Sequence, residues 1–483
     1  MSRVADSLSR SPWIEGLPAY RDLAAIRQAV IVRASRVDGL DRLPRTAAEE
    51  RLRDALELIY IPGDQHCDAL LNVLEQLRTF VAGRYPDARH YLSTINRPQS
   101  TLPTINSIRC LTGLAGVGKT CMIAAIKRLM QGDRIATIDI NHPDILIRYV
   151  RSLTVNTKSS NRDLMIPLAN PAFVAGRRGA AVGDLGGHVR AWLHTTGSGL
   201  LLVDELQFLT QSQTANTRVA QVLMMMGYLG IPVLYAANYS LCHRLVRRPQ
   251  EERQRLLVEP IDLHPEAPDS LAWRQLIDEY VRVAPEIFQV DPATHAQELN
   301  RLTAGTGRLL KILFVLAFGH ACDRRGARLV TIDDLRSAYR SEAFSTMRED
   351  VEALASLSVS PLLVAKRPDL VSPFRGERGT EAVTQLGQRT VHPSQATESA
   401  LLAPLAVAYQ LESTLSPDAK RMLAAMRGDT DPVQTPAHPR KSARTRSGPA
   451  KITAEALYAG AKLTRSLTHP MDGTHKDQKR DDA

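Results

Sequence analysis

The 483-residue sequence predicts an α/β protein, a five-stranded parallel sheet flanked by helices, with a helical unit and then a long tail beyond it. Three observations predict that class. A short strand-like run, Ser107 to Leu111 (SIRCL), enters the glycine-rich octet GLAGVGKT at Gly113 to Thr120, and Lys119 to Met130 continues with apolar residues at helical spacing. A second apolar run, Leu200 to Glu205 (LLLVDE), ends in two acids. Further strand-like runs alternate with helical stretches, and that alternation calls for parallel strands joined by crossover helices.

Taken in order, the elements begin with two amphipathic helices, Thr46 to Tyr60 and Gly63 to Tyr85, whose apolar residues recur at three- and four-residue steps. They make an N-terminal helical module over 1–90. The α/β unit spans 91–264. Its strands are expected at Ser107–Leu111, Arg134–Ile140, Leu200–Glu205, Ile231–Ala237 and Pro260–Leu263. Leu153 to Asn161 is polar and Ala175 to Gly187 glycine-rich, so both read as loops. Met224, Met225 and Met226 read as core filling. A helical lid follows over 265–353, with helices at Leu271–Val283 and Gly307–Arg324 and a capping box in TIDD at Thr331–Asp334. Residues 354–426 read as a linker with a short helical candidate at Glu398–Met426, and 427–483 as a basic, proline-dotted, mostly disordered tail.

Composition frames these elements. A chain 44% hydrophobic and 23% charged can bury a sizeable core. The five cysteines show no paired metal spacing and fit a reducing cytoplasm. The opening residues MSRVADSLSRSPW contain no apolar signal-peptide core, and no run reaches the roughly 18 apolar residues a membrane span needs. A soluble cytoplasmic protein without a membrane partner is expected. Sixty-one Lys and Arg against 51 Asp and Glu give a net charge of +10, which favours an anionic partner such as nucleic acid, although the charge is spread along the chain.

The octet GxxxxGK[ST] is a phosphate-binding loop. Its glycines let consecutive backbone N–H groups converge on phosphate oxygens, Lys119 reaches the β- and γ-phosphates, and the Thr120 hydroxyl can ligate Mg²⁺. The nucleotide-contacting stretch is therefore Gly113, Leu114, Ala115, Gly116, Val117, Gly118, Lys119, Thr120 and the following Cys121. Such a site needs a carboxylate at the end of a neighbouring strand to hold the metal, and Asp204 occupies that place; Glu205 beside it can polarise the attacking water. The plainer reading of that run is a buried strand meeting solvent, which the loop upstream disfavours. Asn238, closing IPVLYAAN, would face the γ-phosphate, or else is a turn asparagine. Arg308 in GTGRLLK starts a lid helix and would reach back to the nucleotide, or else is a solvated first-turn residue. The segment Arg244 to Leu256 carries Arg244, Arg247, Arg248, Arg253 and Arg255. An arginine finger offered to a neighbouring subunit would sit there, Arg255 first and Arg253 second; a solvated helix paired with Glu251 and Glu252 is the alternative.

Loop, LLLVDE strand, strand-end Asn238, arginine cluster and lid GTGR, in that order, resemble the AAA+ P-loop NTPases over about residues 60–350. Within that span DELQFL at Asp204–Leu209, MMMGYLGIPVLYAAN and RPQEERQRLLVEPIDLHP resemble the TnsC and TniB transposition ATPases. The resemblance implies an ATPase using ATP and Mg²⁺ that assembles with itself as a ring or helical filament on double-stranded DNA. It would link a target-selection protein to the transposase, with hydrolysis driving disassembly. It places such a protein in a bacterial cytoplasm, on the nucleoid when DNA-bound. By position, Lys158 and Arg162 in TKSSNRD are the nearest DNA-contacting candidates, with a solvated loop as the other reading. The long N-terminal module and C-terminal extension depart from a typical helicase loader, and the extension is a candidate transposase-recruiting segment. A helicase or replication-initiator loader, and a STAND-like signalling NTPase switch, are the competing functions; no repeat or receptor-like module supports the second.

Overall fold

The computed structural model describes residues 11–20, 22–95, 107–130, 132–138, 142, 144–156, 159–176, 182–206, 215–324, 328–357 and 367–374. The chain divides into two units, Met1–His392 and Pro393–Ala483, and every described residue belongs to the first. The expectations for Glu398–Met426 and for the tail at 427–483 lie outside the described residues, as does Lys158.

Among the described residues five helices precede the sheet: α1 (Pro12–Glu15), α2 (Leu23–Val30), α3 (Arg45–Leu58), α4 (Asp64–Arg84) and α5 (Ala88–Ile95). The two long ones match the predicted pair, and their apolar faces go to different cores. Ala48, Leu52 and Leu56, spaced at four residues on α3, are buried with the lid helices. Leu70, Val73, Leu77 and Val81 of α4 are buried with the sheet. The link between them, Ile59–Gly63, is held by an antiparallel bridge in which Val32 and Tyr60 exchange backbone hydrogen bonds of 3.0 and 2.9 Å.

The sheet strands are β1 (Ile108–Gly113), β4 (Val150–Thr154), β5 (Leu200–Asp204), β6 (Val233–Ala236) and β7 (Val258–Leu263), while β2 (Arg134–Ala136) and β3 (Ile145–Ile147) stand apart. The order β4-β5-β6-β1-β7 is parallel throughout, giving the five-stranded AAA+ P-loop fold. Four of the five predicted strands fall in place, and the second does not. Arg134–Ala136 pairs antiparallel with β3, and the fifth place in the sheet goes to Val150–Thr154, whose last two residues sit in a stretch expected to be loop. The reason is burial. An edge strand meets core on one side only, so VRSLT buries Leu153 alone and carries none of the apolar run that marks the central strands. By contrast Leu200–Val203 is wholly buried.

Among the described residues six helices belong to the α/β part: α6 (Lys119–Leu129), α7 (Asn161–Met165), α8 (Pro171–Gly176), α9 (Val182–Thr195), α10 (Ala215–Gly227) and α11 (Tyr239–Val246), with α12 (Gln250–Leu256) leading into β7. The glycine-rich stretch expected as loop up to Gly187 is helical from Val182, because Leu185, Val189 and Leu193 recur at four residues and bury in the core, outweighing Gly186 and Gly187. Met226 is 1% exposed, whereas Met224 and Met225 are half-buried at the core's margin.

The lid comprises α13 (Leu271–Val283), α14 (Pro292–Thr303), α15 (Gly307–Asp323), α16 (Ile332–Arg340) and α17 (Ser345–Leu357). The predicted box is present, Asp334 accepting from the Thr331 N–H at 2.8 Å and its hydroxyl at 2.9 Å. Trp273, fully buried on α13, donates its indole N–H to the Ala296 carbonyl at 2.8 Å and so pins α13 to α14. Beyond the lid, residues 367–374 return to the α/β part. There His243 donates to the Val371 carbonyl at 2.8 Å, and Asp262 accepts from both Tyr239 and Ser372.

Candidate nucleotide-binding site

β1 ends at Gly113 and α6 begins at Lys119, so the octet is the turn between the central strands and a helix N-terminus. Its shape depends on glycine. Gly113 has φ +147°, and a methyl group there would lie 2.4 Å from the Leu263 carbonyl oxygen of β7. Lys119 folds back so that its ammonium donates to the Gly113 and Leu114 carbonyls, each at 2.8 Å. Burial, and then the Arg308 charge, push its pKa down to about 8.

The loop opens on a cavity of about 420 Å³ that collects most of the predicted residues: Ala115 to Cys121, Asp204, Glu205, Asn238 and Arg308. Asp204 closes β5, and Glu205 follows in the left-handed region at φ +62° with its N–H donating to Asp204 Oδ1 at 2.9 Å. A non-glycine residue held there is strained by about 1–3 kcal/mol, and such strain gathers at functional sites. Asn238 stands two residues past β6 as the N-cap of α11, but its side chain makes no capping hydrogen bond. Arg308 is the second residue of α15, and its stem packs on Gly116.

The opposite wall was not anticipated. Leu56, Ile59, Tyr60 and Ile61 from the N-terminal segment face the cavity together with Pro265, Leu276 and Tyr280 from the lid side. These make an apolar surface able to take a flat ring. The signal for it lay in IYIPG, an apolar run closed by Pro-Gly between two helices. His66 lines the same cavity and donates through Nε2 to the Val117 carbonyl at 2.9 Å.

Two cationic side chains converging beside a loop whose glycines leave no room for a Cβ fit a polyanion, and the apolar wall fits a base. Arg253 and Arg255 lie elsewhere. Both are exposed on α12, and Arg255 borders a groove with Met225 and Tyr228, while Arg248 pairs with Glu252 at 2.7 Å. Arg162 is half-buried on α7, outside the cavity.

Residues 106–245 match the AAA domain family model. That stretch is similar to a AAA domain. That domain runs from the strand entering the loop almost to the end of α11, so it includes the octet, Asp204, Glu205 and Asn238. No curated protein matches the chain in sequence. Among solved structures the chain is similar to the Aeropyrum pernix ORC1 protein in complex with DNA, at 17% identity, covering 59% of this chain and 78% of that one, with a TM-score of 0.34. It is similar to Cdc6p from Pyrobaculum aerophilum at 15% identity, covering 60% and 76%, with a TM-score of 0.32. A chain from work on katanin self-assembly is similar at 16% identity, covering 77% of this chain and 98% of that one, with a TM-score of 0.32.

Proposed function

We propose that this AAA protein is an ATP-dependent regulator of DNA transposition that assembles with itself on double-stranded DNA and links a target-selection protein to the transposase, hydrolysis controlling disassembly. One observation carries the ATPase part. The loop, the strand-end acids and the lid arginine share one cavity, while both candidate finger arginines stand exposed outside it, free for a neighbour's site. The transposition part rests on the TnsC- and TniB-like segments beginning at Asp204, Met224 and Arg248.

Bound ATP with Mg²⁺ would supply the transferable phosphoryl group and a charge clamp on its oxygens. On this reading Lys119 and the loop N–H groups hold the phosphates, and Thr120 and Asp204 hold the metal. Glu205 orients and deprotonates the water, Asn238 faces the γ-phosphate, and Arg308 reports occupancy to the lid. Arg255, or Arg253, of the next subunit completes the site. DNA would be held through its phosphates, with Lys158 and Arg162 as contacts and a steep salt dependence. Such a protein works in a bacterial cytoplasm, at the nucleoid.

Electron microscopy of the purified chain with a non-hydrolysable ATP analogue, with and without duplex DNA, tests the assembly. Rings or filaments wound on DNA are expected; monomers under both conditions contradict it. A transposase gene beside this one is also expected, whereas a helicase gene there favours the loader.

A further inference from the structure

His66 sits in the first turn of α4, 4% exposed, between the phosphate loop and the segment that leads into the lid. On one side its Nε2–H donates to the Val117 carbonyl in the middle of the phosphate loop at 2.9 Å. A methyl group on Gly118 would lie 3.2 Å from that nitrogen, so ring and loop pack directly. On the other side Nδ1 lies 3.7 Å from Glu266 Oε1, beyond hydrogen-bond length. Both atoms are buried, and neither has a hydrogen-bond partner among the described residues. Two facing orphans less than an ångström from bonding are an unclosed contact, because buried polar atoms are ordinarily satisfied.

Glu266 belongs to the lid's hinge. Its N–H donates to the Gly305 carbonyl at 3.0 Å, and its own carbonyl accepts from the Asn300 amide at 2.8 Å, which ties it to the turn that launches α15 and Arg308. Its Oε2 accepts from Ser270 at 3.0 Å. Gln65 grips the same hinge by accepting from the His264 N–H at 2.9 Å and donating to its carbonyl. The hinge, and with it the lid, is thus read by the first turn of α4.

We infer that His66 is a positioning residue that couples the lid to the phosphate loop: when the lid settles on nucleotide, Glu266 closes on Nδ1 while Nε2–H continues to hold the Val117 carbonyl. Fixing that carbonyl orients the adjoining loop amides toward the cavity, so lid closure and phosphate binding favour one another. This rests on the ATPase reading of the cavity.

The test uses the full chain and four variants: Glu266→Gln, His66→Gln, the double variant and Lys119→Ala. Each is measured for dissociation of a fluorescent ATP analogue with Mg²⁺, for kcat and KM of hydrolysis, and for Tm. Glutamine keeps a donor for the Val117 oxygen at similar volume but cannot bridge to Glu266. Each single substitution should weaken nucleotide by about tenfold, mainly in KM, and the double should be no weaker than the worse single, since both remove one coupling. Tm without nucleotide should stay near wild type. Multiplying effects, or losses that follow Tm alone, overturn the inference while Lys119→Ala still abolishes binding. If Lys119→Ala binds nucleotide normally, the ATPase reading fails and the inference falls with it.

Discussion

Gly116 of the phosphate loop touches Arg308 of the lid: a methyl group on Gly116 would lie 2.7 Å from Arg308 Cβ. The loop and the lid therefore pack at Gly116 with no room for a side chain. Gly116 also has φ +90°, which an alanine adopts only under strain. Gly116→Ala should destabilise the protein by about 1–3 kcal/mol and push the start of α15 off the loop. Thermal denaturation with and without ATP checks both effects. A lower Tm and a reduced nucleotide-induced rise are expected, and an unchanged rise contradicts the contact's role.

Lys119 makes the same contact electrostatic. Burial first, and the Arg308 charge second, hold its pKa at about 8, against 10.5 for an ordinary lysine. Between those values the folded chain binds fewer protons than the unfolded one, so the stability of the nucleotide-free protein should rise with pH across that window. Below about pH 8 the buried charge weighs against folding in full, by on the order of 3 kcal/mol. A polyphosphate reverses the balance by favouring the ammonium. Nucleotide binding near pH 8 should therefore take up a fraction of a proton, and near pH 6.5 almost none, where lysine is already charged. Calorimetry in buffers of differing ionisation enthalpy reads the uptake; heats independent of buffer at pH 8 would count against it.

Glu205 combines strain with chemistry. Its φ of +62° means a glycine there relaxes the backbone, so Glu205→Gly should raise stability by up to about 1 kcal/mol while ending turnover. Glu205→Gln keeps the shape and loses the base, so hydrolysis should fall by about 10²–10⁴ with nucleotide still bound. Paired measurements of Tm and phosphate release separate the two. Normal turnover in Glu205→Gln refutes the assignment of the base.

What the sequence made legible follows burial. Leu200–Val203 is buried on every residue, and such a strand announces itself as an apolar run. The octet is legible because its chemistry demands those residue types at that spacing. Val150–Thr154 was hidden because an edge strand is half solvent, and the helix from Val182 because its glycines outweigh, in a local reading, an apolar stripe that only the tertiary core rewards. The wall at Ile59–Ile61 lies over fifty residues from the loop, and nothing local to either segment says they meet. His66 reads simply as a helix-start polar residue until Val117 and Glu266 are seen on either side of it.

Arg255 and Arg253 are exposed and absent from the cavity of their own chain, so alanine at either should change folding stability by less than about 0.5 kcal/mol. If Arg255 completes a neighbour's site, Arg255→Ala should bind ATP normally yet hydrolyse it poorly, and Lys119→Ala should do neither. The two defects then lie on opposite sides of one interface. In a head-to-tail assembly mixed at equal amounts, a site is productive when an intact loop meets an intact arginine, so about a quarter of sites regain function. Phosphate release from the mixture should exceed that of either variant alone and should rise with protein concentration. A mixture no better than its parts moves the finger to Arg253, for which the same pairing is made. Failure of both arginines to complement Lys119→Ala rules out Arg253 and Arg255 as the finger.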